Sequence, residues 1–514
     1  MGKTSAHVQS ASSARMLILG LDAADPALIE KWCDEGILPA LKFLRAQGAW
    51  VRLQHDGAMP SASVWPSIYS GTYPGKHGIY NGLQLAPGKR QVRLLEPSEC
   101  ARPPFWQIID QSGKASIIVD VPFSYPLKDF RGIQILDWGS YERHYESHSL
   151  PREILTEICQ RFGSYPFGHE MSRDAPASMR HFSRARAQLL AGAALKGSVV
   201  KWLTSDRPWD LFMAVFSETH PAGHYFWTSD GNGHGRSPGA ARAQLTTTMQ
   251  DVYKAIDGEI GKIIDGIDEN VTLVVLSGQG MGPNNARWHV IPEVLSELGV
   301  LALNTKNGRN HRLGELRDSI PLRWRRSISR QLPGRWRDRL RTHWATARID
   351  WSRTRAFHLP TDQLGYVRIN LRGREPQGIV EPGADYRDLC DTISDALKGL
   401  VDTHTGRKIV REVFRADQLF PGPARHRLPD LLVSWQDEPG QQTLSARFDG
   451  VNGALDMRAG NHRPEGFAVF YGRGVCHGQF SQGHIVDLAP TVLTYFGLTP
   501  PADMDGRALP GIFS

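Results

Sequence analysis

Two histidines, His220 and His224, stand four residues apart in FSETHPAGHYFW (216–227), behind a run of large apolar residues. If 220–224 forms one helical turn, both imidazoles face the same way and can share a cation. Two histidines at this spacing are a zinc signal that needs a third ligand from elsewhere. Three further pieces carry chemistry. Asp22 ends the apolar run MLILGLD, where a carboxylate suits a cation, or else caps the next helix. MPSASVWPSIYSGTYPGKHGIYNG (59–82) offers four candidate nucleophiles on spacing alone: Ser61, Ser63, Ser67 and Ser70. AGNHRPEG (459–466) brackets His462, Arg463 and Glu465 with glycines just before an apolar run. GQGMGP (278–283) is a poor dinucleotide fingerprint, because its third glycine would fall on Pro283; it is expected to be a turn.

These residues need elements to hold them. MLILGLD (16–22), SIIVDVP (116–122), IQILDWG (133–139), DLFMAVFSETH (210–220), TLVVLSGQG (272–280), DLLVSW (430–435) and FAVFYG (467–472) are short apolar runs ending in polar residues or glycine. Runs apolar on both faces predict central strands of a covered sheet. Helical segments at 24–48, 184–205 and 244–267 lie between them. Strands alternating with helices predict an α/β fold with a largely parallel sheet, whose ligands gather at the carboxyl ends of the strands.

Residues 301–365 break this rhythm. They contain an Arg-rich stretch, 317–348, with ten Arg and two Asp, together with Trp324, Trp336, Trp344 and Trp351. This region is expected to be an inserted, mostly helical basic cap. It attracts anions or acidic lipid, so peripheral membrane contact is one reading of it; a solvated helical face is the other. The whole chain of 514 residues carries a formal charge of +7, so the remainder is near neutral. Nothing indicates nucleic acid as a partner. Five scattered cysteines without a CxxC pair suit reduced thiols and a cytoplasmic location. No apolar run approaches the ~18 residues of a membrane span. The first residues are small and polar, and a loose tail is expected over 1–15.

Taken together, the pieces resemble the type I phosphodiesterase/nucleotide pyrophosphatase family of the alkaline phosphatase superfamily, over about 16–300 and 366–514. The block SGTYPGKHGI resembles the family's TG-x-x-P-x-x-HGI, and counting back from it selects Ser61 as nucleophile. Asp22 matches the metal-binding Asp after the first strand, His220 and His224 an Asp-x-x-x-His pair, and His462 the late His. PPADMDGRAL (500–509) resembles the family's close. The resemblance implies a three-layer α/β sandwich and metal-dependent hydrolysis of a phosphate ester, a phosphodiester or nucleotide pyrophosphate, through a phospho-enzyme.

Two departures alter the expected site. The family's SDHG reads Ser277-Gly278-Gln279-Gly280, which removes two ligands of the second ion, and His220 stands where the family has Asp. The expectation is one zinc held by His220, His224 and His462, with Asp22 left at a depleted second position. Asn81, Gln279, Lys76 and Arg463 are expected to hold a small phosphorylated substrate. Two other readings fit the same departures. One is a single-zinc enzyme of different chemistry, non-phosphate hydrolysis or group transfer, in which Ser61 only positions the substrate. The other is a non-catalytic ligand binder.

Overall fold

The structure is a computed structural model that describes residues 14–141, 143–144, 146–167, 179–227, 239–303, 349–361, 363–402, 405–437 and 458–513. Alternation along the apolar runs places successive side chains on opposite faces of the sheet. Met16 and Ile18 of the strand Arg15–Leu21 enter one hydrophobic layer, and Leu17, Leu19 and Leu21 enter the other. The strands Leu211–Phe216 and Val271–Ser277 divide their residues in the same way. Both faces are covered, which explains why these runs are apolar throughout.

The resulting sheet has nine strands. Its order is Gly478–His484, Ala49–Gln54, Glu465–Tyr471, Val271–Ser277, Arg15–Leu21, Leu211–Phe216, Ser116–Val119, Ile133–Leu136, His148–Leu150. The five from Val271–Ser277 to Ile133–Leu136 run parallel. Glu465–Tyr471 is antiparallel to both its neighbours, and so is His148–Leu150 to the strand it pairs with. Asp22, the segment Ser217–His220 and Gln279 therefore leave adjacent strands at one edge, as the α/β pattern predicted.

Several boundaries differ from the sequence reading. The helical segment 24–48 is two helices, Pro26–Asp34 and Pro39–Gln47. Gly36 at φ 73° and Pro39 at the next helix start break it. The helix cap is Asp25, whose Oδ1 accepts from the Leu28 N–H at 2.9 Å, and not Asp22. DLLVSW is not a strand of the main sheet. Leu431–Trp435 lies in a separate four-stranded antiparallel sheet with Ala356–His358, Gly365–Ile369 and Val410–Arg415. Its buried residues join the same hydrophobic layer as Met16, so it reads as apolar as a central strand. Ala356–His358 falls within the expected cap, 301–365, yet pairs with Gly365–Ile369 in the part assigned to the core. The Arg-rich stretch up to 348 lies outside the described residues. Trp351, at its border, packs edge-on against Phe357 with centroids 5.0 Å apart. The expected tail lies outside the described residues up to 13, and Arg15 already opens the first strand.

Burial pushes the His77 imidazole down to about 3 and the His55 imidazole to about 4. Both are buried and neutral in the folded chain but ionise near 6.5 when unfolded. Their stabilising contribution is complete above pH 6.5 and falls by about 1.4 kcal/mol per pH unit for each below it. Denaturant melts at pH 7.5 and pH 5 are expected to show lower stability at pH 5, and replacing His77 by Gln should flatten that dependence.

Candidate metal centre

The segment after Leu211–Phe216 turns into a short helix, Thr219–Phe226, and His220 and His224 do share one face of it. Thr219 anchors its start by donating to the Asp22 backbone oxygen at 2.6 Å. The third histidine arrives on a two-stranded antiparallel ribbon. Gly460–Arg463 pairs antiparallel with Gly280–Pro283, with Met281 opposite His462. GQGMGP thus supplies one strand of the ribbon that carries a site residue, where a turn was expected. Close approach of ribbon and helix requires glycine. A Cβ on Gly460 would lie 2.2 Å from the Gly223 oxygen, and one on Gly223 would lie 2.6 Å from Met281.

His220, His224 and His462 are buried and present ligand atoms all within 4.8 Å of one another. Their ring centroids are 4.8–4.9 Å apart. His220 Nδ1 lies 2.7 Å from Asp22 Oδ2, and His224 Nδ1 lies 2.9 Å from the Gly460 oxygen. A carbonyl or carboxylate oxygen only accepts, so each Nδ1 carries a proton, and in a neutral ring Nε2 is then the lone-pair nitrogen. Those two Nε2 atoms are 3.0 Å apart. With both rings neutral, two lone pairs facing at this distance would repel, and a cation between them would remove the repulsion. Two nitrogens on one tetrahedral zinc, each at about 2.0–2.1 Å, sit roughly 3.3 Å apart. His462 Nδ1 is a further buried nitrogen without a hydrogen-bond partner. Burial, and then Arg458 and the neighbouring imidazoles, holds His224 well below its ordinary value; burial and then His220 do the same for His462. Neutral imidazole is the ligating form. The residues present therefore fit a metal ion.

Asp22 stands outside this three-imidazole cluster. Oδ2 faces His220, and Oδ1 accepts from the Trp65 indole N–H at 2.8 Å. A Cβ on Gly278 would lie 2.5 Å from Ile68 Cδ1 and 2.6 Å from Val64 Cγ1, so hydrocarbon fills the space into which a side chain at 278 would start. Gln279 is 4% exposed, and its Oε1 is buried without a hydrogen-bond partner.

The serine-rich segment starts with the 3₁₀ turn Ser61–Ser63 and continues as the helix Val64–Ser70. Ser63 donates to the Ile79 oxygen, Ser67 pairs with His77 Nε2, and Ser70 donates to the Pro66 oxygen; all three are buried. Ser61 alone of the four is half-exposed, and its hydroxyl has no side-chain hydrogen bond among the described residues. The block SGTYPGKHGI is turn chemistry: Gly71 and Gly78 end short helices at φ 65° and 81°, and Pro74 opens one.

Two expected substrate contacts go elsewhere. Lys76 donates to Asp505 Oδ1 at 2.6 Å and to the Asp503 oxygen at 2.8 Å, so its charge ties down the C-terminal segment. Arg463 donates to the backbone oxygens of His462 and Pro283 and so straps the two strands of the ribbon together. The Asn81 side-chain oxygen accepts from the Leu83 N–H at 2.8 Å, a turn contact.

Sequence reasoning missed Trp65, the Gly460 carbonyl and Tyr141. The Tyr141 ring lies 4.4 Å from that of His220, and its hydroxyl is 3.2 Å from the Tyr225 hydroxyl. Trp65 lies four residues after Ser61 and could have been read as its neighbour on one helical face. A backbone oxygen leaves no sequence signal. A buried network also braces the strand end before His220: Lys196 pairs with Asp120, and Tyr165 donates to Glu218. Burial raises the Glu218 carboxyl, opposed by Lys196.

A parallel sheet with a buried imidazole cluster and a half-exposed serine at its carboxyl edge is the frame of a metal-dependent hydrolase. The profile of the Type I phosphodiesterase / nucleotide pyrophosphatase family matches residues 16–449, and the chain belongs to that family of phosphoester hydrolases, in the alkaline phosphatase superfamily. No curated protein matches its sequence. Among solved structures it is similar to the phosphonoacetate hydrolase of Sinorhizobium meliloti 1021 in complex with phosphonoformate. That match has TM-score 0.52 and 13% identity, over 94% of this chain and 96% of that one. It also aligns with murine ectonucleotide pyrophosphatase/phosphodiesterase 5, an inactive variant in complex with AMP. There the TM-score is 0.49 and identity 14%, over 98% of this chain and 100% of that one. Among the described residues no helix is long and apolar enough to cross a membrane.

Replacing Gly460 by Ala is expected to separate ribbon and helix and to weaken zinc binding at least tenfold in a chelator-competition titration.

Proposed function

We propose that this chain hydrolyses a phosphodiester or nucleotide-pyrophosphate-like substrate with Ser61 as nucleophile and one zinc held by His220, His224 and His462. The observation that carries the reading is the pair of Nε2 atoms held face to face by the contacts of the Nδ1 atoms with Asp22 and Gly460. Zinc, when bound, supplies Lewis-acid stabilisation of a phosphoryl oxygen. The Ser61 hydroxyl attacks phosphorus, the leaving oxygen departs, and water then cleaves the phosphoserine. Ser61 is supported by being the accessible serine of the four. Gln279, at the position emptied of a ligand, donates its amide to a phosphoryl oxygen, and Asn81 keeps its amide NH2 for the same use. The hydrocarbon at Gly278 supports a single ion. All five cysteines are unpaired, which supports a cytoplasmic setting.

That same filled position favours a second reading, single-ion chemistry in which Ser61 only positions the substrate. Two measurements separate the readings. Protein purified without chelator is expected to contain one equivalent of zinc, and Ser61→Ala to lose roughly 10³-fold or more of its turnover of bis-p-nitrophenyl phosphate. Full turnover by Ser61→Ala with zinc retained selects the second reading. A chain with neither zinc nor turnover is a binder.

A further inference from the structure

The Asp22 carboxylate is shared between two donors. Oδ1 takes the Trp65 indole N–H at 2.8 Å, and Oδ2 faces His220 Nδ1 at 2.7 Å. Asp22 is 3% exposed, and Trp65 is equally covered. Trp65 has little freedom to move away. Its ring rests on Gly20, where a Cβ would lie 2.6 Å from Trp65 Cη2. The indole is a donor only, so it always demands an acceptor at Oδ1.

Resting on the single-zinc reading above, we propose that Asp22 is a positioning residue and not a metal ligand. Its carboxylate fixes the His220 tautomer, and the Trp65 indole fixes the carboxylate. The chain of contacts runs from the Ser61 turn through Trp65 and Asp22 to His220 and ends at the cation. A carboxylate behind a ligating imidazole orients the ring, holds its proton on the far nitrogen and raises its basicity.

This arrangement dictates what an amide does in the same place. In Asp22→Asn the carbonyl oxygen is claimed by the Trp65 N–H, so the NH2 group faces His220 Nδ1. That nitrogen must then accept, and the proton moves to Nε2, where it points into the cluster and blocks ligation. Trp65→Phe removes the demand. In the double variant the amide can turn over, accept from Nδ1–H and restore the ligating tautomer.

The test is zinc affinity and stoichiometry, measured by competition with a chromophoric chelator, for the wild type, Asp22→Asn, Trp65→Phe and the double variant. The wild type is expected to bind one equivalent. Asp22→Asn should still bind one, with Kd raised about 10–100-fold. Trp65→Phe should remain within a few-fold of wild type, and the double variant should bind more tightly than Asp22→Asn. A merely structural role for Asp22 makes the double variant no better than the single one, and that result overturns the proposal. A wild type with two equivalents, one of them lost in Asp22→Asn, makes Asp22 a ligand and also overturns it. A wild type that binds no zinc defeats the single-zinc reading itself, whereas one equivalent with Asp22→Asn unchanged defeats only the role of Asp22.

Discussion

Two imidazole nitrogens, Nε2 of His220 and Nε2 of His224, face each other at 3.0 Å, and most of the local architecture serves to keep them there. The acceptors behind them, a carboxylate and a backbone carbonyl, come from strands far apart in sequence. Both are buried, so water cannot relax either tautomer. A cation between the rings would relieve that crowding, which is what makes the cluster a candidate metal site. An ion held there by neutral imidazoles alone would keep its full positive charge.

The fold meets this demand through close approaches that exclude side chains. Gly223 and Gly460 let helix and ribbon touch, and Gly20 lets the indole lie on the first strand. The ribbon is held by backbone pairing, by the Arg463 strap, and by the Ala459 N–H donating to the His224 oxygen at 2.8 Å. Rigid elements from three adjacent strands therefore converge, and no long loop among the described residues has to find its place.

Much of this was legible in the sequence. The parallel core follows from apolar runs alternating with helices, and the His220–His224 pair from helical periodicity alone. His462 stood out between its glycines, but its partnership with the other two histidines came only through resemblance, because its place depends on antiparallel pairing with a segment about 180 residues away. Lys76 and Arg463 have partners that the sequence did not indicate. A cationic side chain beside a motif announces charge but not direction, and Lys76 finds Asp505 429 residues further on. DLLVSW failed because complete burial looks the same in a small antiparallel sheet and in a parallel one. Asp22 follows the first strand as its run predicted, but which atom each of its oxygens would meet depended on an indole that carries no charge to draw notice.

Val64 and Ile68 stand beside Gly278 and bear on any attempt to place an acid there. A new side chain at 278 would meet Ile68 Cδ1 and Val64 Cγ1, both side-chain ends of the helix that follows the Ser61 turn. Those two branched side chains would have to turn aside or be shortened to seat a carboxylate. Trimming Val64 or Ile68 together with the new acid is therefore the economical design for adding an oxygen ligand at this strand end.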